Sequence, residues 1–162
     1  MSRLDSFIRR LEAQRACIDA AVDLVGALPG PVFELGLGNG RTYDHLRTRC
    51  PGREIFVFER KVAAHPDCIP DADHLFEGPL EATLEGAVER FHGRIALIHA
   101  DLGSGRPDHD ARLSAFVARR LPLLLASGGV VASDQDVVWP QAEVIALPEG
   151  VRPGRYYLFR KE

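Results

Sequence analysis

The sequence predicts an α/β fold in which helices cover both faces of a mostly parallel β-sheet. Three observations predict it: short apolar runs alternate with amphipathic stretches, a glycine-rich loop follows the first apolar run, and a turn-rich segment separates two strand-like runs near the C-terminus. Helical crossovers between parallel strands are right-handed and place helices on both sides of the sheet. We therefore expect a three-layer sandwich whose seven-stranded, mostly parallel sheet is closed by an antiparallel hairpin.

The composition suits one domain of ordinary size. The chain has 162 residues, of which 46% are hydrophobic, enough for a substantial shared core. We expect a single domain over residues 1–162, with an N-terminal helix within 1–28 and the core in 32–162. The formal net charge of −3 disfavours binding to nucleic acid or membrane by bulk electrostatics.

The cysteines and the N-terminus favour a cytoplasmic protein. Cys17, Cys50 and Cys68 are odd in number and include no C-x-x-C pair, which disfavours a disulfide framework and a thiolate zinc site. A reducing compartment suits such free thiols. The N-terminal residues mix both charges and lack an uninterrupted apolar run, so they resemble neither a signal peptide nor a membrane span.

The predicted elements begin with one long amphipathic helix. Apolar residues recur at helical spacing from Leu4, and Ser2 and Asp5 can form a capping box. The proline-rich segment 28–31 ends this helix, and residues 32–35 form a short buried strand. This extra N-terminal helix therefore precedes the first strand of the sheet.

Alternating strands and helices follow. The strand-like runs are residues 54–58, 74–77, 95–99 and 130–133. The helices between them are expected from near Thr42, from Pro79 to about Val88, and from Asp108 to about Ala126, the last kinked by Pro122. Residues 61–73 contain two prolines and can hold only a short helix. Gly128 and Gly129 are expected to connect the last helix to its strand.

The C-terminal tail differs from this alternation. Residues 143–147 and 155–159 are strand-like, and the segment 148–154 between them is rich in turn residues, which predicts an antiparallel hairpin. No helix fits between residues 133 and 143, so part of one sheet face lacks its usual cover. The N-terminal helix or a second subunit could bury that face, and we expect a homodimer.

The segment from Glu34 to Gly40 carries the strongest functional signal. In parallel sheets, ligands bind outside the carboxyl ends of the strands, where strand order reverses. Glycines there permit positive φ and close approach of a ligand. The dinucleotide pattern G-x-G-x-x-G fails, because its third glycine would fall on Arg41. Glu34 would also repel a pyrophosphate and favour a ligand carrying ammonium and sulfonium groups.

This segment resembles the first motif of the class I S-adenosylmethionine-dependent methyltransferases, and the chain is most similar to small bacterial members without an assigned substrate. The resemblance implies a Rossmann-like sandwich, S-adenosyl-L-methionine as cofactor and methyl transfer to a small-molecule oxygen or nitrogen. Glu59, nineteen positions beyond Gly40, resembles the acid that binds the ribose diol. Residues 78–80 resemble the segment flanking the adenine, and Asp101 the position facing the methyl donor.

The expected cofactor-binding residues are Glu34, Gly36, Leu37, Gly38, Asn39, Gly40, Thr42, Glu59, Arg60, Gly78, Pro79, Leu80 and Asp101. Two of them have simpler alternatives, because Thr42 could cap the following helix and Arg60 could be a solvated neighbour. His99 or Asp101 could serve as an optional general base, although a histidine that ends an apolar strand is more often a core residue.

Two further functional alternatives and one metal alternative stay open. Asp101, Asp134 and Gln135 resemble the oxygen ligands of magnesium-dependent O-methyltransferases, but Gln135 stands where that family prefers asparagine, so we expect no metal. A non-catalytic S-adenosylmethionine-binding module is one functional alternative. An NAD(P)-binding oxidoreductase domain is the other.

Overall fold

The computed structural model describes residues 2–162, so Met1 of the expected domain lies outside the described part. In chain order the helices are α1 (Arg3–Val25), α2 (Arg41–Arg49), α3 (Leu80–Phe91), α4 (Pro107–Ala118) and α5 (Leu121–Leu124). The strands are β1 (Val32–Leu35), β2 (Ile55–Glu59), β3 (Leu75–Glu77), β4 (Ile95–Ala100), β5 (Leu125–Ser133), β6 (Ala142–Val144) and β7 (Tyr157–Lys161).

The strands form one seven-stranded sheet in the order β3-β2-β1-β4-β5-β7-β6. The first five strands pair in parallel, while β7 runs antiparallel to both β5 and β6. The chain moves outward from β1 through β2 to β3 and then returns to place β4 on the other side of β1. The strand order therefore reverses between β1 and β4, which is where ligands of such sheets bind. The predicted sandwich and its antiparallel closure are confirmed.

Helix α1 covers one face of this sheet. Its first turn has the predicted capping box, in which Ser2 and Asp5 satisfy each other's backbone N–H groups. Farther along, Ile18, Ala21 and Val25 are buried in a core cluster with residues of β1, β4, β5 and β7. The N-terminal helix thus shares its face with α2. The face of α3 and α4, where a right-handed crossover after β5 would also place a helix, is instead covered by Val137 and Trp139.

An aromatic cluster fills the opposite face. Phe33 packs within 4.8 to 5.1 Å, between ring centroids, of Phe58 and Phe91. Burial of each ring contributes roughly 2–3 kcal/mol, so these side chains are a large part of what fixes α3 on the sheet.

The predicted long helix before β5 is wrong. Helix α4 ends at Ala118, α5 is a single turn, and β5 begins at Leu125 rather than at Val130. Pro122 lies in the first turn of α5, where a missing N–H disturbs no helical hydrogen bond. Gly129 belongs to β5, where the register with β4 shifts. A Cβ there would come within 2.9 Å of the carbonyl oxygens of Ala126 and Ile95, so this position requires glycine.

Smaller differences occur at two other places. The short helix expected in residues 61–73 is present as two 3-10 helices, Pro66–Cys68 and Ala72–His74, since prolines fix φ and remove hydrogen-bond donors. Strand β6 begins one residue before the run expected at 143–147 and includes only two residues of that run, while β7 begins two residues later than expected. Across residues 2–162, no helix has both the length and the apolarity that crossing a membrane requires.

Candidate functional site

A cavity of about 370 Å³ opens at the carboxyl ends of β1, β2 and β4. It lies at the reversal of strand order, as expected for a ligand site in this class of sheet. Its lining residues come from these strand ends, from the loops after them and from three helices: Arg10, Gly36, Gly38, Phe58, Glu59, Arg60, Leu80, Asp101, Leu102, Gly103, Ser104, His109 and Leu113. We call it the strand-end cavity.

The three glycines of the loop after β1 have different roles. All three have positive φ, which disfavours any other residue type. A Cβ on Gly36 would collide with the backbone oxygen of Asp101, and one on Gly40 would collide with the side chain of Cys68. A Cβ on Gly38 would meet nothing within 4 Å. Gly38 therefore leaves open space for a ligand, while the other two permit close packing of the protein itself.

Glu59 ties this loop to the end of β2. Its Oε2 accepts hydrogen bonds from the backbone N–H groups of Leu37 at 2.8 Å and Gly38 at 3.0 Å, and its Oε1 accepts one from Lys61 at 3.1 Å. A carboxylate has about four acceptor positions, so Oε1 can still accept from a ligand hydroxyl. The loop N–H groups that could hold a diphosphate are instead occupied by a negative charge, which disfavours a dinucleotide.

Glu34 belongs to a buried polar network beneath the loop. Its side chain is fully excluded from solvent, and its Oε2 lies 2.5 Å from Nδ1 of His99. Its Oε1 accepts a hydrogen bond from the hydroxyl of Thr42, and Nε2 of His99 contacts the hydroxyl of Tyr156. Parallel pairing of β1 with β4 places Glu34 directly beside His99, which is why these groups meet.

Burial and the neighbouring carboxylates together shift the pKa values of His99 and Tyr156 in this network. Burial lowers the pKa of His99, but the facing carboxylate of Glu34, together with Asp101 and Asp134, more than offsets this, so the net pKa is raised and the protonated imidazolium is favoured. Burial, followed by the carboxylates of Asp101 and Asp134, raises the pKa of Tyr156 well above its usual value, so its hydroxyl stays neutral.

Three expectations need correction here. Glu34 does not line the strand-end cavity, because both of its oxygens have protein partners and no part of it is exposed. His99 is equally buried with both ring nitrogens engaged, so it cannot reach an acceptor as a general base. Thr42 neither caps α2 nor faces the cavity, since its hydroxyl donates to Glu34.

Asp101 is the carboxylate that faces the cavity from β4. It is partly exposed, and its Oδ2 accepts a hydrogen bond from the side-chain amide of Gln14 at 3.2 Å. Gln14 lies on α1, so the N-terminal helix reaches the cavity through this contact. Of the two candidate bases, only Asp101 is accessible to a ligand.

Asp134 fixes the loop after β4. Its two oxygens accept hydrogen bonds from the N–H groups of Leu102 at 2.8 Å and Gly103 at 3.0 Å. Burial, more than the neighbouring Asp101, raises the pKa of Asp134. Gln135 donates its amide to Asp134 instead of offering an oxygen. In the described residues 2–162, no group of three or more His, Cys, Asp or Glu side chains could hold a metal ion.

The thirteen predicted cofactor-binding residues divide into two groups. Those lining the strand-end cavity are Gly36, Gly38, Glu59, Arg60, Leu80 and Asp101. Those that do not line it are Glu34, Leu37, Asn39, Gly40, Thr42, Gly78 and Pro79. Pro79 instead lines an adjoining space of about 320 Å³ that shares Arg60 and Leu80 with the first. Gly78 donates its N–H to the carbonyl of Glu59, and Asn39 accepts from the N–H of Arg41.

Several residues that line the strand-end cavity are absent from the predicted set, although the sequence contained a pattern that could have identified some of them. His109 and Leu113 lie four positions apart in α4, a spacing that places both on one helix face. Phe58 directly precedes Glu59 in β2. Arg10 had no such signal, because its position depends on how α1 packs on the sheet.

Comparison with known proteins agrees with this geometry. The chain matches the model of the S-adenosyl-L-methionine methyltransferase family over residues 1–161. It is similar to the crystal structure of an S-adenosyl-L-methionine methyl transferase from Silicibacter pomeroyi DSS-3, with 42% identity and a TM-score of 0.93 over 100% of this chain and 99% of that one. No curated protein matches the chain significantly.

More distant structures share the fold alone. Human methyltransferase-like protein 13 in complex with SAH is 15% identical, with a TM-score of 0.60 over 93% of this chain and 80% of that one. The SAH-bound methyltransferase PaMTH1 from Podospora anserina is 20% identical, with a TM-score of 0.54 over 90% and 76%. A family match over nearly the whole chain supports the methyltransferase prediction over the oxidoreductase and non-catalytic alternatives. The chain belongs to the S-adenosyl-L-methionine methyltransferase family, and it is an enzyme that uses S-adenosyl-L-methionine as methyl donor.

Proposed function

We propose that this enzyme methylates an oxygen or nitrogen atom of a small-molecule acceptor, with the cofactor in the strand-end cavity. One observation carries the placement: Glu59 and the open face of Gly38 meet in a cavity at the reversal of strand order. Glu59 and Asp101 line this cavity, and their charges suit a ligand with ammonium and sulfonium groups.

The residues present fit S-adenosyl-L-methionine in type and position. Glu59 would accept the ribose hydroxyls, and the bare backbone at Gly38 would allow the ligand to approach the loop. The apolar side chains of Phe58, Leu80 and Leu113 offer surfaces for an adenine ring. When bound, the cofactor supplies a methyl group on a positively charged sulfonium.

The protein's contribution to the reaction is alignment and exclusion of water. Methyl transfer from a sulfonium is an in-line displacement, so holding donor and acceptor in the right geometry supplies most of the advantage. Hydrogen bonds fix the position of the loop after β4: Asp110 accepts from the N–H and hydroxyl of Ser104, and Asp134 accepts from the N–H groups of the two residues before it. Asp101 can take a proton from an acceptor that must lose one.

The proposal extends to partners and location. We expect a small acceptor, because the net charge of −3 disfavours binding to a nucleic acid or a membrane surface by bulk electrostatics. Three free cysteines favour the cytoplasm.

We also propose that the enzyme forms a homodimer, because Leu4, Phe7 and Ile8 at the start of α1 are 65%, 46% and 44% exposed. Light scattering at micromolar concentration tests it, and a monomeric mass would refute it.

Thermal melting tests the cofactor assignment. S-adenosylhomocysteine, NAD and NADP are added separately at the same concentration, since a ligand that binds only the folded state raises its melting temperature. We expect a rise with S-adenosylhomocysteine alone. A rise with NAD alone would overturn the assignment. The acceptor is then sought in a metabolite panel by following release of S-adenosylhomocysteine.

A further inference from the structure

A second cavity of about 310 Å³ lies between α1 and the loop that joins β6 to β7. Four arginines and two glutamates line it: Arg9, Arg15, Arg152, Arg155, Glu12 and Glu149. We call it the arginine cavity. None of these residues lines the strand-end cavity.

The four guanidinium groups have no carboxylate partner within the described residues. In residues 2–162, the arginines in ion pairs of 4.0 Å or less are Arg47, Arg49, Arg120 and Arg160. The arginine cavity therefore gathers four positive charges against two unpaired negative ones. Like charges gathered in this way repel, and an anion between them would remove that cost. The planar fork of arginine matches both carboxylate and phosphate groups.

Both sides of the arginine cavity lie near the carboxyl ends of the parallel strands, where the strand-end cavity also lies. The hydrogen bond from Gln14 to Asp101 places the N-terminal half of α1 over the carboxyl end of β4. Ser133, at the carboxyl end of β5, pairs with Tyr157, so Arg155 extends beyond that same end.

Helix α1 is shared by the two cavities. Arg10 lines the strand-end cavity, whereas its neighbour Arg9 lines the arginine cavity. Consecutive residues of a helix point about 100° apart, so the two cavities flank the same turn of α1. A ligand held by the arginines would therefore have its other end near the rim of the strand-end cavity.

We propose that the arginine cavity binds the anionic end of the methyl acceptor, which is then a small molecule carrying phosphate or carboxylate groups. This inference rests on the proposed function, because it names the substrate class of that same reaction. The volume holds one or two such groups, and Glu12 and Glu149 would repel an extended phosphate backbone. The overall net charge of −3 acts in the same direction.

Calorimetry with two simple probes tests the proposal. Inorganic pyrophosphate represents phosphate and citrate represents carboxylate, each titrated at constant ionic strength into the full chain saturated with S-adenosylhomocysteine. The cavity variant carries Arg152→Ala and Arg155→Ala. The control carries Arg112→Ala and Arg119→Ala, which remove the same charge from exposed positions in and just after α4.

We expect at least one probe to bind, with affinity lowered by at least about tenfold in the cavity variant and unchanged in the control. The probe that binds more tightly identifies the anion. S-adenosylhomocysteine should bind all three proteins equally. Absence of binding by both probes, or an equal loss in both variants, would overturn the inference. So would an RNA oligonucleotide that displaces the bound probe.

Failure of the proposed function looks different. In that case the unmodified protein would not bind S-adenosylhomocysteine, whether or not the probes bind.

A kinetic experiment compares phosphorylated or carboxylated acceptors found in the panel with their uncharged counterparts. The charged member should turn over, with KM raised about tenfold in the cavity variant at unchanged cofactor affinity. Equal turnover of the uncharged member would contradict the inference.

Discussion

The neighbouring strands β1 and β2 each place a glutamate near the same edge of the sheet, but the two glutamates have different environments. Glu34 is fully buried beside His99 and Thr42, whereas Glu59 is partly exposed and lines the strand-end cavity. Glu34 therefore supports the loop from below, and Glu59 holds it from the cavity side. A carboxylate at a strand end becomes a ligand contact only when its own strand leaves it facing open space.

The largest expected effect comes from removing the buried glutamate. Glu34→Ala leaves the imidazolium of His99 without its counter-charge in a fully buried position, which costs about 3–5 kcal/mol. Urea denaturation measures the change in the free energy of unfolding. The control is Glu89→Ala on the exposed side of α3, which should change stability by less than about 0.5 kcal/mol. Equal stability of the two variants would remove Glu34 from the network.

Gly40 and Gly38 differ in the same way, because one packs against the protein and the other faces the strand-end cavity. Gly40→Ala forces a Cβ against Cys68 at positive φ, so we expect a loss of about 2–4 kcal/mol in stability. Gly38→Ala meets only the cost of its positive φ, about 1–2 kcal/mol, but puts a methyl group into the space assigned to the ligand. Urea denaturation and calorimetry with S-adenosylhomocysteine separate the two effects. If Gly38→Ala binds S-adenosylhomocysteine with unchanged affinity, the glycine loop does not contact the ligand.

Removing the exposed glutamate should act on binding more than on stability. Glu59→Ala takes away a charged acceptor for the ribose hydroxyls, and we expect affinity for S-adenosylhomocysteine to fall by about 2 kcal/mol, roughly thirtyfold. Isothermal titration calorimetry gives this value directly. Unchanged affinity would show that Glu59 serves the loop alone.

The smallest expected effect is a dependence of stability on pH. The pKa of His99 in the folded protein lies above its ordinary value of 6.5, because the carboxylate of Glu34 outweighs the effect of burial. Protonated His99 therefore contributes its full stabilisation of the fold when the pH is below 6.5, and this contribution is lost as the pH rises through the pKa of His99 in the folded protein. The stability difference between the unmodified protein and His99→Gln should shrink toward alkaline pH. A difference that grows instead would mean that the pair is not ionised.

Local patterns in the sequence predicted most of the fold and part of the site. The alternation of apolar runs, the capping box at Ser2 and the turn-rich segment before β7 are short-range signals, and each is present in the structure. Glu59 was identifiable because it ends an apolar strand at a typical distance from the glycines. Such signals need no knowledge of tertiary packing.

The misassigned residues depend on distant parts of the chain. His99 lies 65 positions from Glu34, and Tyr156 lies 57 positions from His99, so no local pattern shows that these three side chains satisfy one another. The early start of β5 has a similar cause, because pairing of Leu125 with Ile95 of β4 extends the strand into a stretch with helical periodicity. Tertiary contacts decided both outcomes.

Amide chemical shifts recorded on addition of S-adenosylhomocysteine test whether the cofactor occupies the strand-end cavity. We expect the largest changes at Leu37, Gly38 and Asp101, around that cavity, while the amides of Arg152 and Arg155 shift little. Largest changes at the arginine cavity, with the glycine loop unaffected, would contradict it.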